Sequence, residues 1–397
     1  MIASGRSAED KAIWVIRRGD FDISNIDFIG TRVSDGNGAG IRFEGGSLRV
    51  SHCLFWDNQM GLLTADNTAA DSTLSVANSE FAYSHVDGRW GHNLYVGSIA
   101  ELNVVGSYFH HAGRGHLIKS RARRSQVLYS RLTDEIGGRA SYELDFPNGG
   151  DVRVLGNVVQ QQPETDNSTL IAYGEEGYRW PVNRLTVASN TLVNDLRHGG
   201  TFIAVAPGGA ESVLSANNLL VGPGIQRAGA TFTSWNDVRA DWEDLERPSR
   251  QDYRLRSIDE RFAFRDAPGT TPTEATLPKA QYTHPRATAA LMITLASVPA
   301  MVTKPVWGWL IDRMNPKPLA ATSAFLSGLA VLLIVASVHS RWEFGEYAAF
   351  LLLGFGWGGM IPLQEVIWAS YFGRRHLGAV RSAALPFALI LGAGGPL

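Results

Sequence analysis

The sequence predicts two fold classes in one chain: an all-β parallel β-helix over roughly the first two-thirds, then an α-helical transmembrane segment of about four helices. Three observations carry this. Composition splits near residue 285, with Asp, Glu, Asn and Gly concentrated before it and Ala, Leu, Val, Ile, Phe and Trp after it. Before the split a six-residue pattern recurs at intervals of 23 to 33 residues. Beyond it lie apolar runs that meet the length needed to cross a bilayer, about 20 residues.

The recurring pattern is V-x-x-polar-x-apolar. It occurs at Ile23–Phe28, Val50–Phe55, Val76–Phe81, Val104–Phe109, Val127–Leu132, Val154–Val159, Val187–Leu192 and Leu214–Leu219. Successive final residues lie 27, 26, 28, 23, 27, 33 and 27 apart. Units this short bury a face only by stacking on their neighbours. The Leu-x-x-Leu-x-Leu signature of leucine-rich repeats and helix-forming runs are absent, while β-branched residues, Gly and Asn abound, so the units read as β-coils.

The fourth position of the pattern reads Ile26, Cys53, Ser79, Ser107, Ser130, Asn157, Asn190, Asn217. Six successive small polar residues at an otherwise apolar turn predict a hydrogen-bonded ladder climbing the stack. The sixth position, Phe28, Phe55, Phe81, Phe109, Leu132, Val159, Leu192, Leu219, predicts the matching internal apolar stack. Cys53, the single cysteine, forms no internal disulfide and reads as a small buried residue. A second strand per coil is expected before each unit, at Ile41–Phe43, Leu62–Thr64, Asn93–Val96, His116–Lys119, Tyr142–Asp145, Leu170–Tyr173 and Phe202–Val205.

On these segments the chain resembles the right-handed parallel β-helix proteins of the pectin-lyase-like superfamily, over about residues 12 to 224. The resemblance implies a fold and a range of polysaccharide chemistries, including lyases, hydrolases and epimerases, without choosing among them. The expected domains are 1–224 for the β-helix, about eight coils with its N-terminal cap missing, 225–286 for an irregular closing tail and linker, and 287–397 for the membrane segment.

The central coils hold the densest ionisable groups. Tyr95, Lys119 and Glu143 are spaced 24 and 24 apart and are expected to share one column. Lys119 and Arg121 are two apart on one strand and share a face. β-Elimination on a uronic-acid polymer needs a base for the C5 proton and a cation beside the carboxylate, roles open to Lys119 and Arg121. The Lys119-Ser120 pair is similar to the base-bearing segment of some alginate and chondroitin lyases. The bland alternative is a surface ion pair between Lys119 and Glu143, worth about 0–1 kcal/mol. Glu143, Asp145, Glu175 and Glu176 also offer hydrolase-type carboxylate pairs. His92 and His116 follow Gly at coil corners and read as stacking residues. No metal site is expected, since His110 and His111 are adjacent and point to opposite faces of a strand. No cofactor is expected.

Four spans are predicted in the membrane segment, at 287–310, 318–338, 347–371 and 382–397. The loop Gly308-Trp-Leu-Ile-Asp312-Arg313 resembles the Gly-x-x-x-Asp-Arg loop of major facilitator superfamily transporters, as do Tyr371–Gly378 and Gly392–Pro396. The resemblance implies charge contacts for Asp312 and Arg313 in alternating access; Asn315-Pro-Lys-Pro318 departs from the family pattern. Lys304 and Glu365 are the polar candidates within spans, with local pairing or snorkelling the alternative for Lys304. Arg313, Lys317, Arg374, Arg375 and Arg381 place loops one and three in the cytoplasm and the β-helix outside.

The net charge of −2 and the lack of a concentrated basic surface argue against a nucleic-acid partner. The expected partners are the lipid bilayer and an acidic polysaccharide. Four helices do not build the two-halved cavity of a transporter, and two modules joined near His284–Thr288, each incomplete, suggest a gene fusion or an assembled fragment. Three function classes follow: a membrane-anchored carbohydrate-binding or structural β-helix, a polysaccharide lyase, and a transporter fragment.

Overall fold

In a computed structural model the chain divides into two compact units, Met1–Pro285 and Arg286–Leu397. Residues 2–5, 7–64, 68–88, 90–227, 232–258, 260–265, 277–283, 285–340, 342–372 and 382 are described, with backbone alone at 285–291, 338–340, 343, 361, 365 and 370–372.

The first unit is a parallel β-helix. Among the described residues, three long sheets run its length, of ten, nine and nine strands, and strands adjacent within a sheet come from successive coils. The first sheet begins with Ile2–Ser4 and ends with Val238–Ala240, the second runs from Ala12–Ile16 to Ile225–Arg227, and the third from Asp20–Ser24 to Phe232–Trp235. Each coil therefore has three strands where the sequence pattern suggested two. The six-residue motif itself spans a corner: Val50 closes the third-sheet strand Ser47–Ser51, and Phe55 belongs to the first-sheet strand Leu54–Trp56. The pairing also continues past residue 224, through Phe232–Trp235 and Val238–Ala240.

The corner has a repeated backbone geometry. Its residues Asn25, His52, Asn78, Gly106, Tyr129, Gly156, Ser189, Asn217 and Asn236 all have φ between 47° and 69°. Asn and Gly tolerate this left-handed conformation best, and it turns the chain sharply between sheets. The next residue carries the ladder. Each backbone N–H donates to the side-chain oxygen one coil on: Cys53 to Ser79 (3.1 Å), Ser79 to Ser107 (3.2 Å), Ser107 to Ser130 (3.1 Å), Ser130 to Asn157 (2.8 Å), Asn157 to Asn190 (2.9 Å) and Asn190 to Asn218 (3.0 Å). Asn218 donates onward to Asp237 (2.9 Å).

The eighth unit corrects the sequence register by one residue. Asn218, not Asn217, occupies the ladder, and Leu220, not Leu219, pairs with Leu192. Asn217 sits at the left-handed corner and ties the tail through Arg265, whose N–H it accepts at 2.9 Å. Ser215 stands where earlier coils carry Val187; with that apolar marker absent and Leu219-Leu220 doubled, the pattern aligned one residue early.

The sixth-position column packs as predicted. Phe28, Phe55, Phe81 and Phe109 are fully buried, and successive rings lie 4.9, 4.3 and 4.7 Å apart within 13° of parallel. Parallel in-register strands, about 4.8 Å apart, impose that spacing on identical side chains. Room for the rings comes from the second sheet: a Cβ on Gly61 would lie 2.9 Å from Phe81 and 2.1 Å from the Asn93 carbonyl.

The second unit is helical: α1 Pro285–Val302, α2 Lys304–Ile311, α3 Pro316–Ser340 and α4 Glu343–Phe372. Two stretches, Pro316–Ser337 and Phe344–Ala369, are long and apolar enough to cross a membrane. The first predicted span is interrupted at Thr303, because Pro305 has no N–H to offer the preceding turn and starts α2 instead. The stretch predicted as the fourth span lies outside the described residues apart from residue 382. Small residues on α4 let the other helices approach: a Cβ on Gly354 would lie 2.3 Å from the Ala296 carbonyl, and one on Gly358 2.1 Å from Thr303 Oγ1. Trp307 Nε1 and Ser323 Oγ donate to the α4 carbonyls of Phe355 (3.0 Å) and Gly356 (2.7 Å).

Candidate functional site

The outward column of the second sheet reads Arg42, Leu63, Tyr95, Lys119, Asp145. Tyr95 and Lys119 are thus neighbours, as the spacing suggested, but the next rung is Asp145. Glu143 stands in a different column, in register with the core residues Leu117 and Leu170. The coil between Lys119 and its partner holds 26 residues, not 24, so equal spacing misplaced the carboxylate. The ion pairs follow the register: Lys119 Nζ lies 3.0 Å from Asp145 Oδ2 and 2.9 Å from Glu176 Oε1.

Glu176 closes a network. It accepts from Arg121, with Nη1 to Oε2 at 2.7 Å, and Arg121 also donates to Tyr95 Oη (3.1 Å) and Asn148 Oδ1 (2.7 Å). Glu176 comes from the loop 174–183, pinned by its own N–H to the Pro147 carbonyl and by Trp180 Nε1 to the Arg121 carbonyl. That insertion is what lengthens this coil to 33 residues.

Two histidines form the adjacent wall. His92 Nδ1 accepts the His116 N–H (2.9 Å), and His116 Nδ1 accepts the Tyr142 N–H (3.2 Å). Each ring is therefore the tautomer with its proton on Nε2. His116 Nε2 faces Asp145 Oδ2 at 3.3 Å. Burial holds both rings neutral, His92 down to about 3 and His116 well below its ordinary range.

These groups border a groove of about 670 Å³, lined by Arg42, Leu63, Trp90, His92, Tyr95, Lys119, Arg121 and Glu176 among others. Trp90 is 64% exposed. Sequence reasoning missed both Arg42 and Trp90, which lie on separate coils and carry no motif. A second cavity, about 470 Å³, lies beside the returning tail, but its Arg131 is already bonded to Gln251 and Glu135.

The electrostatics bear on which roles the groove can support. Burial opposes the charge on Lys119, but Asp145 and Glu176 outweigh it and hold the ammonium above its ordinary range. A lyase base needs the opposite shift. Hydrogen bonding from Arg121, against some burial, brings Glu176 down to about 2, and burial raises Asp145 to about 6. Among the described residues no group of three or more His, Cys, Asp or Glu is placed to hold a metal ion.

Glu143 is fully buried, and neither carboxylate oxygen has a partner. Burial first, then nearby Asp134, raises its pKa well above the ordinary value; Asp134 is itself raised by burial to about 7. A carboxyl that holds its proton more tightly when folded favours the fold below its ordinary pKa and loses that contribution as pH climbs toward the folded value. Glu143→Leu continues the Leu117–Leu170 column, so the substituted chain is expected to be more stable at pH 7 by about 1–3 kcal/mol. It should also lose less stability than the wild type between pH 4.5 and 7, where Asp134 and Asp145 keep a residual slope of the same sign. Thermal unfolding at pH 4.5, 6 and 7 measures this, and a destabilised variant at pH 7 would contradict it.

In the helical unit, Gly308 lies in α2, Asp312 caps that helix through its N–H to the Gly308 carbonyl (3.1 Å), and Arg313 stacks over Trp309 at 4.3 Å. Asn315 caps α3 by accepting the Lys317 N–H (3.0 Å), followed by Pro316 at its first turn. Lys304 opens α2 and is exposed. Glu365 falls within α4, its side chain outside the described part, as are Arg374, Arg375, Arg381 and the 392–396 segment. The helical composition, the interrupted first helix and this loop point one way. Residues 270–395 match the family model of the Major Facilitator Superfamily. The match and the two apolar helices make this a membrane-associated protein, with the parallel β-helix joined ahead of the facilitator-like segment. No curated protein and no solved structure matches the chain.

Proposed function

We propose that the β-helix is a carbohydrate-binding module, anchored to the membrane by the facilitator-like segment and held on the extracytoplasmic side, and that it binds without cleaving. The observation that carries this is the closed network Asp145–Lys119–Glu176–Arg121–Tyr95 along one wall of the groove. Its members hold one another in place, keep Lys119 charged, and present fixed donors beside the exposed indole of Trp90. A groove of fixed polar groups with an open aromatic ring suits sugars, which offer hydroxyls at their edges and C–H surfaces on their faces. Arg313 and Lys317 in the loop after α2 favour its cytoplasmic placement, which leaves the β-helix, ahead of α1, on the other side. Four helices without a facing half do not form a transport cavity.

The test uses the full chain in detergent micelles and a panel of neutral and acidic oligosaccharides, read by calorimetry. Binding is expected, and Trp90→Ala is expected to weaken it about fivefold. No unsaturated product absorbance should appear with alginate, pectate or chondroitin. Product formation that disappears in Lys119→Ala would replace this reading with the lyase.

A further inference from the structure

One cation of the groove stands outside the network. Arg42 lies in the second-sheet strand Ala39–Phe43, half-buried, with its Nε sealed from solvent and lacking any hydrogen-bond partner. Among the described residues it forms no ion pair, whereas Lys119 and Arg121 are each matched by carboxylates. Asp35 lines the same groove, but its carboxylate accepts the N–H and Nδ2 of Asn37 within its own loop. A partly buried guanidinium with unfilled donors is costly to keep, and its planar fork is shaped for an oxyanion.

Resting on the carbohydrate reading, we propose that Arg42 is an anion anchor that selects saccharides bearing a carboxylate or sulfate group. The ladder sets the ligand's extent. Arg42 is two rungs from Tyr95 and three from Lys119 in one column, about 10 and 14 Å at ordinary strand spacing. One sugar does not reach both. The ligand is therefore an extended acidic oligosaccharide, its charged group on Arg42 and a later unit between Trp90 and the Tyr95–Arg121 wall.

Calorimetry on the full chain in micelles separates the possibilities, using oligouronates, sulfated oligosaccharides and neutral oligosaccharides of matched length. Acidic chains should bind about tenfold tighter than neutral ones, and Arg42→Gln should abolish that difference while leaving neutral binding in place. Which acidic series loses affinity identifies the anion. Salt provides a check without substitution: rising ionic strength should weaken acidic binding by the wild type and spare neutral binding. Equal affinity for acidic and neutral chains, or an acidic preference that survives Arg42→Gln, overturns the anchor while the carbohydrate reading stands. Failure of every oligosaccharide to bind overturns both.

Discussion

Replacing Asn190 with leucine is expected to destabilise the upper coils by about 4 kcal/mol, at about 1 kcal/mol for each of four buried hydrogen bonds. The amide oxygen of Asn190 accepts the Asn157 N–H and Nδ2 (both 2.9 Å), and its Nδ2 donates to the Val154 carbonyl (3.0 Å) and to Asn218 Oδ1 (2.9 Å). Leucine has nearly the same volume and offers none of these. The loss is larger than one side chain's bonds would suggest, since the Asn157 N–H and Val154 carbonyl stay buried with nothing to meet them. Because a solenoid's stability is built from neighbour contacts, the damage should be local. Amide exchange on the full chain should speed up in the coils carrying Asn157, Asn190 and Asn218, with much less change near Cys53. A uniform change, or a loss below about 1 kcal/mol, would mean the ladder does not bear on the stacking.

How much of this could be read from the sequence depends on whether the information repeats. The ladder and the phenylalanine stack were legible because each coil restates them, so eight weak signals reinforce one another. A single irregular unit was enough to shift the eighth by one residue, since Ser215 lacks the apolar marker of Val187 and Asn217 and Asn218 are indistinguishable by type. The third strand was hidden because the corner residues that divide the motif are chosen for φ and include His52 and Tyr129 as well as Asn and Gly. At the groove, Tyr95, Lys119 and Arg121 were found from spacing and face. Glu143 was misplaced, since nothing in the sequence fixes where a coil of unequal length spends its extra residues. Glu176 and Trp90 arrive on the insertions 174–183 and 83–93, which in the sequence register only as irregular spacing. Irregularity was the overlooked sign: the coils that break the period are the ones that furnish the groove. In the helical segment the Asp312-Arg313 loop was legible by resemblance, while the break at Thr303 followed from two prolines whose effect on one apolar run was read only as a kink.

Phe81→Ala should cost about 4 kcal/mol, a value drawn from buried phenylalanine truncations. The ring is fully buried, with Phe55 stacked 4.3 Å on one side and Phe109 4.7 Å on the other. Removing it leaves a cavity that the β-coils cannot close, because their spacing is fixed by hydrogen bonds in three sheets at once, and because Gly61 has no side chain to move into the space. Two ring contacts are lost besides the buried area, each worth about 0.5–1.5 kcal/mol. Phe81→Leu separates the two contributions. Higher in the same column Leu132 and Leu192 occupy this position without strain, so leucine should fill most of the space and forfeit mainly the ring stacking, with a loss of about 1–2 kcal/mol. Denaturant unfolding of both variants, followed by near-ultraviolet circular dichroism of the stacked rings, gives the comparison. If alanine and leucine cost the same, the four phenylalanines are held together by the coils around them, and their contact adds nothing of its own.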